Sequence, residues 1–258
     1  MADQRQESSA LVVIPAYNEA TNVIRLIDAL LALPGRLDVL IVDDNSPDGT
    51  GDLVRGHAEF ERRVFLLSRT GKRGFAPACR EGFQWGVQRG YAICVEMDAD
   101  LSHDPADVPR LLQKIDEGAD VALGSRYLDG IRVFNWPPRR LFLSLAAGWY
   151  TRFFSGLPLS DPTSGFKAVR NCVLRSTDWS GFTADGYGFI IEFHFHAWRS
   201  GFQIVEVPIV FTERRHGASK MSFKIMAESA LRVCSLGVYR LFHRRRKSAA
   251  AVESLHFA

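Results

Sequence analysis

Ala92-Ile93-Cys94-Val95-Glu96-Met97-Asp98-Ala99-Asp100 reads as a buried strand that ends in two carboxylates. On an extended backbone, side chains at i and i+2 point to the same side. Asp98 and Asp100 can therefore share one hard divalent cation with a phosphate group. Magnesium suits that arrangement, being held by one or two protein carboxylates while phosphate oxygens and water complete an octahedron. Taken alone, the tripeptide reads better as an acidic turn capping the helix that follows Pro105, so its meaning rests on its neighbours.

Working outward, apolar strands at 11–14, 39–42, 64–67, 92–97 and 121–123 alternate with helix-like segments at 19–31, 51–60, 77–88 and 104–117. This rhythm predicts a mostly parallel α/β sheet with helices on both faces. In such sheets ligands bind beyond the carboxyl ends of the strands. Pro15-Ala16-Tyr17-Asn18-Glu19 follows the first strand, Asp43-Asp44-Asn45-Ser46 the second and Asp98-Ala99-Asp100 the fourth. Three polar clusters thus converge on one edge and mark a ligand site. Past Arg126 the rhythm breaks into an aromatic, leucine-rich stretch at 134–156, a helix at 189–199 and a strand pair at 204–211 bent at Pro208. No repeat or long linker interrupts the chain. One domain is expected over 11–220, with disordered ends at 1–10 and 248–258 and an amphipathic, basic helix at 221–247.

With 258 residues, 47% hydrophobic and 24% charged, the chain has ample material for a globular core. Its four cysteines form no CxxC pair and read as reduced, mostly buried thiols of a cytosolic protein. The polar first nine residues lack the apolar centre of a signal peptide, and no stretch approaches a spanning helix. The net charge of +3 hides an asymmetry: from Glu213 to Lys247 there are ten Lys/Arg against two Glu, so the remainder is acidic. Such a basic region suggests an anionic partner.

Plainer readings exist for each candidate. Asp43-Asp44-Asn45-Ser46 can be a strand-ending turn with capping residues; Arg126 can be a surface residue, and Arg214, Arg215 and Lys220 a solvated loop. His194 and His196, two apart on a helix, diverge and read as structural. Glu192 lies in an apolar helix, where a carboxylate needs a partner; it is either structural or a support for the arginines.

Taken together, the motifs resemble inverting family 2 glycosyltransferases of the GT-A fold. Pro15-Ala16-Tyr17-Asn18-Glu19, Val42-Asp43-Asp44-Asn45-Ser46-Pro47-Asp48-Gly49-Thr50 and Asp98-Ala99-Asp100-Leu101-Ser102-His103-Asp104-Pro105 stand in the family's order. Gly124-Ser125-Arg126-Tyr127, Asp161-Pro162-Thr163-Ser164-Gly165-Phe166 and Glu213-Arg214-Arg215-His216-Gly217-Ala218-Ser219-Lys220 narrow the resemblance to dolichol-phosphate or polyprenol-phosphate mannose synthases, over about 11–242. The resemblance implies Mg2+- or Mn2+-dependent transfer of mannose from GDP-mannose to a polyprenyl monophosphate, with inversion. It implies that Pro15, Tyr17, Glu19, Val42 and Asp44 hold the nucleotide, with Asp98 and Ala99 at its ribose and diphosphate. Asp100 would be the principal metal ligand beside Asp98. Arg126, Arg214 and Lys220 would meet phosphates, with Arg126 and Ser164 on the acceptor side; Asp98, Asp100 and Arg126 form the catalytic set. The segment Lys72-Arg73-Gly74-Phe75-Ala76-Pro77 departs from the family's glycine-rich loop.

A phosphate monoester has a second pKa of about 6 and is mostly dianionic at neutral pH, so its attack requires no strong base. A polyprenyl acceptor lives in a bilayer. The stretches 141–154 and 221–242, the latter running into His243-Arg244-Arg245-Arg246-Lys247, resemble interfacial helices with basic flanks. The protein is thus expected at the cytoplasmic face of a membrane, by itself or through a membrane-anchoring protein partner. The alternative is two core helices and a solvated tail. Competing activities are a UDP-sugar-dependent transferase acting on the same lipid and a non-catalytic carrier-binding subunit. A dinucleotide-dependent oxidoreductase is excluded because no GxGxxG follows the first strand. Nucleic-acid binding leaves the strand-end carboxylates unexplained.

Overall fold

Strands covered on both faces carry apolar side chains at successive positions rather than alternate ones, and the first two strands, ALVVIPA and LDVLIVD, do so. In the computed structural model, which describes residues 10–71, 74–182, 184, 186–213 and 223–243, they lie near the middle of a seven-stranded sheet. The chain runs β1 (Ala10–Ala16), α1 (Val23–Leu31), β2 (Leu37–Asp43), α2 (Thr50–Arg55), β3 (Val64–Ser68), α3 (Phe75–Gln88), β4 (Ile93–Glu96), α4 (Val108–Asp116) and β5 (Val121–Ser125). It continues through β6 (Val133–Phe134), α5 (Pro138–Ser155), β7 (Lys167–Arg170), α6 (Asn171–Ser176), α7 (Tyr187–Arg199), β8 (Ile204–Pro208), β9 (Phe211–Thr212) and α8 (Phe223–Phe242).

The sheet order is β3-β2-β1-β4-β7-β5-β8, parallel except for β7, which runs antiparallel to both neighbours. A separate parallel pair joins β6 to β9. Leu26, Ile27 and Leu30 of α1, with Val108, Leu111 and Ile115 of α4, close one face over Val12, Val39 and Val95. On the other, Cys79 and Phe83 of α3 and Phe189 and Phe193 of α7 cover Leu11, Val13, Leu40 and Cys94. Leu157, Leu159 and Phe195 pack with Val233 and Leu236, seating α8 outside α7.

The expected alternation holds through β5, with boundaries moved by local chemistry. The first helix starts at Val23 rather than 19, because 19–22 forms a turn closed by the Asn22 and Val23 N–H groups on Glu19 O, both at 2.9 Å. The second ends at Arg55, five residues short of the expected 60, with Gly56 as its C-cap. The stretch 134–156 holds one helix, α5, and the expected pair at 204–211 splits: β8 joins the main sheet and Phe211 pairs with β6. Strand β7 escapes a hydrophobicity reading because it is four residues long and opens on a lysine. Of the four cysteines, all free, only Cys79 and Cys94 are buried; Cys172 is exposed and Cys234 half-buried.

Helix α3 lies unusually close to the sheet. A Cβ on Gly82 would stand 2.3 Å from Val13 Cγ1, and one on Gly86 2.7 Å from Cys94 Sγ. Gly82→Ala is therefore expected to destabilise the fold. Overpacking costs ~1–3 kcal/mol, against about 1 kcal/mol of helix propensity gained. A lower urea midpoint at unchanged slope would report it.

Candidate functional site

Three loops leave the carboxyl ends of β1, β2 and β4, and each turns through a residue in the left-handed region: Asn18 (φ 59°), Asn45 (φ 56°) and Leu101 (φ 58°). Asparagine tolerates that conformation; for leucine it costs roughly 1–2 kcal/mol. The first two loops are stitched together. Ser46 Oγ accepts from Asn18 N–H, Thr50 Oγ1 from Glu19 N–H, and Asp48 from Ala20 N–H, each at 3.0 Å. Burial alone would raise the Asp48 carboxyl, but donors from Thr50 and Ala20 hold it below the usual range.

Asp44 is buried, ion-paired with Arg69, and accepts from Gly74 N–H at 2.9 Å. Arg69 also reaches Glu81 at 3.1 Å. Gly74 (φ 154°, ψ 152°) holds a conformation open essentially to glycine alone. Pro15 and Val42 are register partners near the ends of β1 and β2, and Val42 is wholly buried in the core beneath α3. Tyr17 and Glu19 stand on the loop between them and α1.

Beyond β4, Asp98 is partly exposed, Ala99 buried and Asp100 half-buried. The Leu101 turn brings Ser102 N–H back to Asp100 Oδ1 at 3.1 Å. His103 Nδ1 lies 3.8 Å from Asp98 Oδ2, and its ring stacks on Phe166 at 4.9 Å. Burial pushes the His103 imidazole below its ordinary value despite the nearby carboxylates. The donors fit a hard cation: two carboxylates on one turn, beside the Ser102 hydroxyl, which is buried without a hydrogen-bond partner. Among the described residues no group of three His, Cys, Asp or Glu side chains forms a closed metal cage. Asp98 and Asp100 would hold a Mg2+ or Mn2+ ion of the kind that also takes phosphate oxygens. A cleft of about 670 Å³ opens beside them, lined by Asn22, Arg25, Asp100, Ser102, His103 and Glu213 among others.

Across the sheet, Arg126 is buried and grips Asp161 through two parallel bonds, Nε to Oδ2 at 2.6 Å and Nη2 to Oδ1 at 2.7 Å. Nη2 also donates to Thr163 Oγ1 at 2.9 Å, which leaves Nη1 as the guanidinium edge for any ligand. Burial opposes both charges, yet the pair raises the Arg126 pKa and lowers that of Asp161. Arg126 is thus no solvated surface residue. Ser164, on the same loop, is buried with an unpartnered hydroxyl. Arg126 and Arg140 stand over the Trp136 ring at 5.6 and 4.2 Å, and Arg140 is ion-paired with Glu213.

Asp161, His103, Glu206 and Arg140 were not singled out as site residues from sequence. Glu206 accepts from the Ser160 and Asp161 N–H groups at 2.7 and 2.9 Å, a role with no local signal because the partners are 46 and 45 residues apart. Glu192 is ion-paired with Arg232 of α8 and accepts from Ala184 N–H at 3.3 Å, whereas Arg214 and Arg215, among the arginines it was expected to support, lie outside the described residues. Arg214, Arg215 and Lys220 lie outside the described residues, as do Lys72, Arg73 and the run 244–247.

A parallel sheet with one antiparallel strand, carrying interlinked polar loops after β1 and β2 and an Asp-x-Asp turn after β4, defines a GT-A glycosyltransferase. The chain belongs to glycosyl transferase family 2, whose family model matches residues 11–179. It is 44% identical to the polyprenol monophosphomannose synthase of Mycolicibacterium smegmatis, over 95% of this chain and 93% of that one. It is 43% identical to the undecaprenyl-phosphate mannosyltransferase of Micrococcus luteus, over 88% and 93%. Among solved structures, glucosyl-3-phosphoglycerate synthase from Mycobacterium tuberculosis, in complex with Mn2+, UDP-glucose and phosphoglyceric acid, superposes with a TM-score of 0.64. It covers 93% of this chain and 82% of its own at 18% identity, a likeness of fold.

Behind the site, His194 is wholly buried with Nδ1–H donating to Pro162 O at 3.1 Å, and burial pushes its pKa down to about 3. The unfolded chain binds a proton at this residue near pH 6.5 that the folded state refuses. Stability at this group is therefore full above pH 6.5 and falls as pH drops toward the folded value. Urea midpoints at pH 7 and 5 should show that fall, and His194→Gln should reduce the slope.

Proposed function

We propose that this glycosyltransferase transfers mannose from GDP-mannose to a polyprenyl monophosphate, giving a β-mannosyl phosphate. The observation that carries the reading is 44% identity over 95% of the chain to a polyprenol monophosphomannose synthase. Two further relatives support it: the dolichol-phosphate mannosyltransferases of Pyrococcus furiosus and Saccharomyces cerevisiae, at 34% and 31% identity. The loops bearing Pro15, Tyr17, Glu19, Val42 and Asp44 hold the nucleotide, and Asp98 and Asp100 hold a divalent cation at its diphosphate. When bound, that cation neutralises charge on the leaving group. Arg214 and Lys220 add positive charge to the donor side. Arg126, fixed by Asp161, offers Nη1 to the acceptor phosphate beside the Ser164 hydroxyl. The protein's main task is then to hold two anions in line, for a dianionic phosphate needs little activation.

No helix among the described residues is long and apolar enough to cross a membrane. We assign the approach to the lipid to the pair α5–α8. The two helices touch closely: Tyr150 O–H donates to Ala230 O at 3.1 Å, and a Cβ on Gly237 would stand 2.9 Å from Phe154 O. Their outer faces expose Phe142 (71%), Trp149 (61%), Phe153 (65%), Leu231 (74%) and Leu241 (80%). Arg139 and Arg152 flank the α5 stripe. Such a surface suits the interface of an anionic bilayer, where the segment 221–247 would associate peripherally.

The purified protein, given magnesium and polyprenyl phosphate, should form mannolipid from GDP-mannose and none from UDP-glucose or UDP-N-acetylglucosamine. A product from a UDP-sugar would overturn the donor assignment. Asp100→Ala should lower turnover at least ~100-fold, corresponding to several kcal/mol of lost charge stabilisation, with the melting temperature kept. Tryptophan emission should shift to the blue on vesicles containing anionic lipid, less so in Trp149→Phe, and Phe142→Ser/Phe153→Ser should weaken co-sedimentation; an unshifted spectrum with unchanged sedimentation counts against the membrane face.

A further inference from the structure

Glu96 and Lys167 face each other across β4 and β7 as register partners, at the last pairing before both strands run into site loops. Lys167 Nζ lies 2.6 Å from Glu96 Oε2, and both side chains are essentially without solvent contact (0% and 1% exposed). Two residues after Glu96 comes Asp98; two before Lys167 comes Gly165, whose carbonyl accepts a second bond from Nζ at 3.2 Å. The lysine therefore ties the Asp-x-Asp strand to the loop carrying Asp161, Thr163 and Ser164. The Phe193 ring lies 5.2 Å from the ammonium, and the second Glu96 oxygen, Oε1, is buried with no hydrogen-bond partner.

A buried ion pair is weak support for stability, since well-packed apolar residues of similar volume commonly replace one without loss. Its distinctive product is geometry: one oxygen–nitrogen distance and one carbonyl contact that apolar side chains cannot set. The rest of the loop is held at other points, by Glu206 on the Ser160 and Asp161 amides, by Arg126 on the Asp161 carboxylate and by His194 on Pro162 O. Beyond the β4–β7 backbone ladder, Lys167 links this loop through its side-chain hydrogen bonds to the strand bearing Asp98 and Asp100. Resting on the function proposed above, we infer that Glu96 and Lys167 are positioning residues, setting the acceptor-phosphate loop at its distance from the Asp98–Asp100 turn.

The test uses the full chain and three variants: Glu96→Gln, Lys167→Met, and the apolar pair Glu96→Leu/Lys167→Met. The Gln variant keeps an oxygen to accept from Lys167; stranding that ammonium should lower the melting temperature, while the folded enzyme retains most of kcat. The apolar pair should keep its melting temperature and its affinity for GDP with magnesium, while kcat with polyprenyl phosphate falls about 100-fold, the scale of a 1 Å misplacement. An active wild type with an equally active apolar pair overturns the inference and leaves the proposed function standing. Should the apolar pair fail to fold, Glu96→Gln decides: activity close to wild type supports positioning, and loss as deep as in Lys167→Met overturns it. A wild type that forms no mannolipid overturns the proposed function, and this inference with it.

Discussion

The fork between Arg126 and Asp161 is the constraint on which the second half of the molecule depends. Neither charge could be buried alone; removing one partner of such a pair costs ~3–5 kcal/mol because the other is stranded. The fork fixes the end of β5 to the loop before β7, and with it Thr163 and Ser164. Because β7 runs antiparallel between β4 and β5, that loop returns to the same edge at which β1, β2 and β4 end. A strand of reversed direction thus adds a second set of polar groups to a site that an all-parallel sheet would build from one set of loops.

The two sides of the site use different physics. On the side of the β1 and β2 loops, backbone N–H groups from one loop reach hydroxyls and carboxylates of the next, as with Asn18 to Ser46 and Glu19 to Thr50. A buried ion pair, Asp44 with Arg69, stands beneath them. On the other side, buried charges meet a charged partner: Arg126 with Asp161, Lys167 with Glu96, and Glu192 with the partly exposed Arg232. Such pairs contribute shape more than net stability, and all three bear on elements that border the site.

Much was legible in advance, for definable reasons. Runs such as Leu11-Val12-Val13-Ile14 could be nothing but strands buried on both faces, and their polar sequels had to share an edge once the sheet was parallel. The Asp98-Ala99-Asp100 turn followed from the period of a strand. Strand β7 was missed because its opening residue is charged, and Lys167 is neutralised by a glutamate 71 residues away. Arg126 read as either a ligand contact or a surface residue; it proved to be an anchored group with one free edge, a state that depends on Asp161, 35 residues on.

The sequence by itself determined the class of fold, the site's edge and the acidic turn, since these follow from hydrophobic period and chain direction, which are local. The tertiary structure alone decided which charges pair, which serines lose their partners and that α5 packs against α8. Those outcomes depend on distances between segments far apart in the chain, and a buried charge takes its meaning from whatever the fold brings within about 3 Å of it.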